Sequence, residues 1–397
     1  MRNTLIASAV SMVLLAACGG GSSGSTVAGT SEASSGAGTQ APASDNTTQT
    51  AALPATKELK IYNWSDYVDP ETIKDFEKNN GIKVGYDLYD SNESLEAKVL
   101  TGKSGYDLVV PSNSHVGRQI KAGAYQEINK SLIPNYGNID PTLLKMLEGV
   151  DPGNKFAVPY FWGINTLAIN KDQVAKALGS DALPANEWDL VFNPEYTAKL
   201  KSCGISFLDS PTEQIPLALN YIGKNPNSEN GDDLKAAVDM MKKVRPDVKR
   251  FSSSGYIDDM AAGNLCVAVG YGGDLNIAKN RAKEAKNNVN IEVLTPATGV
   301  GIWIDSFMIP KDAQNVANAH KYISYTLDPN VAAKNGDFVT YAPASLPARK
   351  LMDKAYADDH SIFPSDAVKA KSFVVLPKSP DAVKLSVRLW QGLKAGQ

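Results

Sequence analysis

Four separated stretches of the chain set an aromatic ring beside an acid or a hydroxyl. They are Trp64-Ser65-Asp66-Tyr67, Tyr271 with Asp274, Trp303 with Asp305, and Tyr341 at the head of the loop Tyr341-Ala342-Pro343. Carboxylates give charge-assisted acceptors to an ammonium group, while aromatic faces attract cations and cover methylene groups. A short apolar chain with an ammonium at each end uses both kinds of residue. An anionic ligand would need basic side chains or helix N-termini, and these four segments contain neither Lys nor Arg. One such pair alone says little, because a Trp or Tyr at a strand end commonly belongs to the core and an Asp there commonly caps a helix. The signal is their recurrence, and it points to a cationic ligand.

Catalysis finds little support. His115, His320 and His360 are the only histidines, widely separated and without metal-ligand spacing, and are read as surface or capping residues. No G-x-S-x-G elbow joins a strand to a helix, no P-loop is present, and the glycines of 270–273 are too few for a dinucleotide fingerprint. Paired acids could serve a glycosidase, but no pair is singled out by spacing. Neither a metal nor a cofactor is expected. With 40 basic against 43 acidic residues and a net charge of -3, the chain offers no basic surface for nucleic acid or for an anionic membrane.

The elements that must hold these pairs alternate regularly. Leu59–Asn63 reads as a strand. Asp69 before Pro70 starts a helix that runs through Ile73 and Phe76 to a stop at Gly81. Ile82, Val84, Tyr86 and Leu88 alternate as a strand, Ser91–Leu100 is a helix with Leu95 and Val99 inward, Tyr106–Val110 is a strand, and Val116–Ala122 is a helix. A second region, from about Gly163 to Asn290, repeats the logic with strands at Gly204–Leu208 and Leu265–Gly270, followed by Asp209–Glu213 and Tyr271–Asp274. Such alternation implies parallel sheet flanked by helices, and open sheets of this kind bind ligands beyond the carboxyl ends of their strands. The aromatic and acid pairs fall there. In Gly301–Ile309, Trp303 and Asp305 are two apart and share a face of an extended segment.

The N-terminus has another task. Residues 1–17 carry Arg2 as their only charge, then an apolar run from Leu5 to Leu15 and Leu15-Ala16-Ala17 directly before Cys18, which reads as a secretory signal. It resembles a bacterial lipoprotein signal with Cys18 as the acylated residue; the alternative is an ordinary secreted precursor. Residues 18–56 are Gly, Ser, Thr and Ala with little to bury, a flexible linker whose r.m.s. reach is on the order of 35 Å. No later segment approaches the roughly 20 apolar residues a membrane span needs. The remaining chain, roughly 340 residues, exceeds what one core usually supports, so two lobes are expected. With Cys18 lipidated, Cys203 and Cys266 form one even pair in an exported setting, to be joined as a disulfide or, alternatively, kept as two buried thiols.

The segments YNWSDYV at 62–68, YDLVVPS at 106–112, KSCGISFLDSPTE at 201–213, CVAVGYGGD at 266–274 and WIDSFMIP at 303–310 closely resemble the periplasmic putrescine-binding proteins of bacterial polyamine ABC transporters. The resemblance extends from Leu59 to the C-terminus. It implies an α/β fold of the two-lobe type II periplasmic binding class, each lobe a mixed sheet flanked by helices, with the ligand in the inter-lobe cleft. Lobe 1 would be 57–162 plus 291–343 and lobe 2 would be 163–290 plus 344–397, with crossings near Phe161–Ile164, Asn290 and Ala342–Leu346. The family's ligand contacts fall on Trp64, Ser65, Asp66, Tyr67, Ser112, Glu213, Tyr271, Asp274, Trp303, Asp305 and Tyr341, and its disulfide on Cys203 and Cys266. Two positions depart: Tyr271 stands where putrescine binders usually carry Trp, and Trp303 where they usually carry Phe, the latter more like the spermidine-preferring relatives. Ser112 and Ser114 fit the putrescine pattern.

The resemblance implies a monomeric periplasmic lipoprotein that captures putrescine by lobe closure and delivers it to an ABC permease, with the membrane reached only through the lipid. Alternatives are spermidine, agmatine, cadaverine or a cationic amino acid as ligand, or a polyamine sensor that signals to a membrane receptor.

Overall fold

The computed structural model describes residues 56–89 and 91–396; the expected signal, Cys18 and all but the last residue of the linker 18–56 lie outside the described residues. Strand β1 (Glu58–Trp64) alternates so that Leu59 and Ile61 are fully buried. It pairs in parallel with β2 (Lys83–Tyr89) along its whole length, from Glu58↔Lys83 to Trp64↔Tyr89, and on its other side with β3 (Leu108–Val109). The carboxyl ends of β1 and β3 therefore lie side by side, with Trp64 at one and Val110–Ser112 beyond the other. β3 is shorter than the expected Tyr106–Val110. Asp107 still donates its backbone N–H to Lys60 O at 2.8 Å, and its carboxylate receives the backbone N–H of Lys60 at 2.8 Å and those of Gln314 and Asn315 at 2.9 and 2.8 Å, tying two remote segments to one carboxylate.

The larger sheet is mixed and runs β11-β9-β4-β7-β5-β6, from β4 (Val158–Asn170), β5 (Ile205–Phe207), β6 (Val248–Phe251), β7 (Val267–Tyr271), β9 (Gly301–Phe307) and β11 (Phe373–Val374). β8 (Ile291–Leu294) and β10 (Ala342–Pro343) pair with β4 outside that path. All thirteen residues of β4 are buried, as expected of a strand covered on both faces. β5 and β7 are parallel, so Asp209–Glu213 and Tyr271–Asp274 leave the sheet from the same edge. The loop expected at Tyr341-Ala342-Pro343 in fact becomes β10, with Ala342 opposite Trp162 and Pro343 opposite Phe161.

Two apolar cores result. One gathers Leu59, Ile61, Phe76, Leu108, Phe307 and Tyr322; the other gathers Trp188, Phe207, Leu219, Val238 and Trp390 and reaches back to the far face of the small sheet at Tyr62 and Val109. β4 feeds the first through Val158, Tyr160 and Phe161 and the second from Trp162 onward, and the chain at Tyr341/Ala342 changes core at the same level. β8 pairs with Leu167–Asn170, so 291–294 stay with the larger sheet. The small sheet is prolonged after β9, where Val109 and Met308 exchange two backbone hydrogen bonds of 3.0 and 2.9 Å.

Local signals read from the sequence account for many helix ends. Asp69 caps the helix Pro70–Asn80 by accepting from Glu71 N, and Gly81 ends it at φ 63°, a left-handed conformation natural to glycine. Cys203, just after the helix Pro194–Leu200, is disulfide-bonded to Cys266, directly before β7, which removes the alternative of two free thiols. The reading of the histidines as surface or capping groups holds for the exposed His360 and needs correction at the other two. His320 is buried, accepting from Asn129 N at Nε2 and bonding Val316 O through Nδ1. His115 is only 4% exposed, because its helix, Asn113–Lys121, begins three residues earlier than expected and turns it inward. Among the described residues no helix is long and apolar enough to cross a membrane.

Candidate functional site

Two carboxylate groupings face one another across a set of aromatic rings. The first is built on β9. Asp305 follows Trp303 on the same strand face; it is 5% exposed, and its Oδ2 accepts from Tyr67 Oη at 2.9 Å. Ser112, at the end of β3, forms an antiparallel bridge with Asp305. The Ser112 hydroxyl does not cap the helix that follows, since Asn92 Nδ2 donates to it at 3.1 Å. Tyr67 is itself held by Tyr160 Oη, which donates to its carbonyl at 2.9 Å. Glu213, in the first turn of the helix Pro211–Tyr221, accepts from Asn165 Nδ2 of β4.

Burial pushes the carboxyl of Asp305 up to about 7, against the hydrogen bonds from Ser112 and Tyr67 that favour its charged form. Burial likewise pushes Glu213 up to about 7, opposed by Asn165 and reinforced by the negative charges of Asp305 and Glu93. Asp305 Oδ1 and Asn165 Oδ1 are buried acceptors without a hydrogen-bond partner. A buried polar atom left unpaired is costly, and each of these acceptors, one on Asp305 itself and one beside Glu213, is a place for a group that donates.

The second grouping is Asp274, in the first turn of the helix Gly272–Ala285. Tyr341 Oη donates to its Oδ1 at 2.8 Å and Tyr256 Oη to its Oδ2 at 3.0 Å. Burial raises its carboxyl above the ordinary range and the two phenols pull it back; Asp66 adds a repulsion. Ser65 and Asp66 are exposed at the end of β1, with Asp66 at φ 53°.

The rings between these groupings form a continuous wall. Trp303 stands edge-on to Tyr341 with centroids 5.1 Å apart and to Tyr271 at 6.4 Å, and Tyr67 meets Tyr341 at 5.7 Å. Two glycines make this approach possible: a Cβ on Gly163 would lie 2.4 Å from the Trp303 indole, and one on Gly273 would lie 2.4 Å from the Tyr341 ring. Trp64 stands at the margin, half-buried, its indole donating to Val110 O at 2.9 Å and its ring 4.6 Å from Tyr89. Burial first, then nearby acids, raise the phenols of Tyr67, Tyr271 and Tyr341 well above their ordinary value, so all three stay neutral and Tyr67 and Tyr341 donate to Asp305 and Asp274.

Sequence reasoning missed Asn165 and Tyr256. Asn165 had a readable signal, a lone amide inside the apolar run GINTLAI; Tyr256 had none, because it arrives from the helix Tyr256–Ala261, outside the motif at 266–274 that holds its partner Asp274. Glu93 and His115 border the site and were also passed over. Among the described residues no group of three His, Cys, Asp or Glu side chains could hold a metal ion.

The family profile described as bacterial extracellular solute-binding protein matches residues 71–364. The putrescine-binding periplasmic protein SpuD of Pseudomonas aeruginosa strain UCBPP-PA14 is 47% identical over 341 residues, 86% of this chain and 93% of the relative. The putrescine-binding periplasmic protein PotF of Escherichia coli K12 is 45% identical over 342 residues, 86% of this chain and 92% of the relative. Among solved structures, the spermidine/putrescine ABC transporter substrate-binding protein PotD of Streptococcus pneumoniae superposes with a TM-score of 0.74 at 28% identity, covering 86% of this chain and 99% of that one. The two-sheet architecture with its flanking helices is thus that of periplasmic binding proteins, and the chain belongs to the family of bacterial extracellular solute-binding proteins.

Proposed function

We propose that this protein captures a linear polyamine, putrescine foremost, in the cleft between its two acid groupings and delivers it to an ABC permease. The observation that carries the reading is the pair of buried acids pushed up to about 7, Asp305 with its Oδ1 unpaired and Glu213 beside the unpaired Asn165 Oδ1. An ammonium group has three donors and no acceptor and supplies what that end lacks. Asp274 and Asp66 receive the other ammonium, and Trp64, Tyr271, Trp303 and Tyr341 cover the methylenes, with Ser65, Tyr67 and Ser112 completing the set. The 45–47% identical relatives named as putrescine-binding proteins support the choice of ligand. Solute-binding proteins capture and hand over without transforming, so the chain is not an enzyme.

The ligand favours the closed arrangement because it binds both groupings at once, and differential affinity is what shifts such an equilibrium. The proposed lobes are 57–162 with 291–343 and 163–290 with 344–397; the pairing of β8 with the larger sheet favours a return crossing later than Asn290. The protein works in the periplasm; a lipid on Cys18 and a monomeric state are part of the proposal. Calorimetric titration with putrescine tests the reading: saturable one-to-one binding is expected, and no heat with putrescine or spermidine at neutral pH would overturn it.

A further inference from the structure

The diamine reading leaves one carboxylate at the site without a role. Glu93 lies in the first turn of the helix Asn92–Val99, and the residue before it is bolted to the cleft. Ser112 N donates to Asn92 Oδ1 at 3.0 Å, Asn92 Nδ2 returns a bond to Ser112 Oγ at 3.1 Å, and Ser112 bridges Asp305. Glu93 is 73% exposed, yet its Oε1 sits 3.6 Å from Nε2 of the buried His115, whose Nδ1 is 2.9 Å from Ser114 Oγ. The imidazole holds the Glu93 carboxyl below its ordinary range, and the charge of Glu93 is felt by Glu213 and Tyr271.

One end of the cleft therefore carries three acids graded from buried to exposed: Asp305, Glu213, Glu93. In the diamine reading Asp305 and Glu213 together meet one terminal ammonium, and Glu93 meets none. Asn165, 0% exposed, leaves Oδ1 unpaired while its Nδ2 is spent on Glu213, so the middle of this row has an acceptor to spare for a second nitrogen. A secondary ammonium has two donors, which Glu213 and Asn165 Oδ1 would take, and the chain beyond it would lead outward toward the rim.

We propose that Glu93 is a specificity-determining residue that receives the outer ammonium of a linear triamine, with Glu213 and Asn165 serving the internal one and Asp274 keeping the ammonium at the far end. This rests on the polyamine reading of the cleft. Glu93 then decides how much chain length is tolerated, and His115, 3.6 Å away, anchors its carboxylate.

Isothermal titration of the wild type and of E93Q with putrescine and spermidine tests it, with E93D as the conservative rescue. The spermidine-to-putrescine affinity ratio of E93Q is expected to fall about tenfold, about 1.4 kcal/mol, and to recover in part in E93D. A ratio unchanged in E93Q, or a wild type that binds putrescine but not spermidine, overturns the role of Glu93 and leaves the polyamine reading standing. A wild type that binds neither amine strikes the polyamine reading itself. Because Glu93 is exposed, a thermal melt of E93Q coincident with the wild type separates a binding effect from misfolding.

Discussion

The two acid groupings of the cleft solve the same problem in opposite ways. Asp274 is satisfied before any ligand arrives: both oxygens accept from phenols, and it stands in the first turn of a fourteen-residue helix, where the helix dipole favours negative charge. Asp305 lies on a strand with no such dipole, pairs through one oxygen only, and is pushed up to about 7 together with neighbouring Glu213. The Asp274 grouping is preorganised, whereas the Asp305 grouping, on the proposed reading, is left frustrated for a cation to satisfy. Binding strength and folding stability should therefore separate between the two ends.

The largest effect is expected from Asp305→Asn. The ammonium would lose a charge-assisted partner, weakening putrescine by about 100-fold, on the order of 3 kcal/mol. The ligand-free protein should melt no lower than wild type, because a buried charge has been removed. Wild-type affinity in the titration, or a melt lowered by many degrees, would break the contrast. Asp274→Asn is expected to weaken putrescine by about 30-fold and also to cost about 1–2 kcal/mol of stability, since one of two phenol bonds then meets an amide N–H. Urea unfolding of both ligand-free variants decides whether the stability cost sits at Asp274 alone.

Much of this was legible in the chain. The strands ending in Trp64 and Tyr271, the Asp69 cap and the Gly81 stop follow from local periodicity and turn chemistry, which depend on neighbours in sequence. The pairing of Asp305 with Tyr67 spans 238 residues and that of Asp274 with Tyr341 spans 67, and no periodicity encodes such distances. The motifs therefore named the acids, while only the fold told the satisfied acid from the frustrated one. At β3 the Asp107 backbone still donates to Lys60 O at 2.8 Å; what no local pattern foretold is that its carboxylate ties β1 to Gln314 and Asn315.

The pH dependence separates the ends next. Carboxyls whose folded values are raised bind more protons folded than unfolded between their ordinary range, near 4, and about 7, so they favour the ligand-free fold at lower pH and this contribution is lost as pH rises through about 7. Ligand binding runs the other way, because the ammonium needs both acids ionised. Putrescine affinity is expected to fall about tenfold or more from pH 7.5 to pH 5.5, while the ligand-free melting temperature holds or rises as Asp305 and Glu213 take up protons. In Asp305→Asn the affinity loss over that range should shrink, leaving Glu213 as the main titrating group. An affinity flat from pH 7.5 to 5.5 would place both carboxyls well below 7 and erase the frustration.

The smallest effect is expected midway between the groupings. Trp303 packs over Gly163 with its Nε1 buried and unpaired, so Trp303→Phe removes a ring without breaking a hydrogen bond. A shorter ring retreats from Tyr341 and Tyr271 and uncovers part of the methylene path. Spermidine, with more methylenes to cover, loses more apolar burial than putrescine does. The spermidine-to-putrescine affinity ratio should fall about threefold, below 1 kcal/mol, with the pH dependence unchanged because both acid groupings remain. Paired titrations with the two amines read this directly. A ratio that stays put would confine specificity to the carboxylates, while an altered pH profile would mean that the indole, and not burial by the fold as a whole, keeps Asp305 dry.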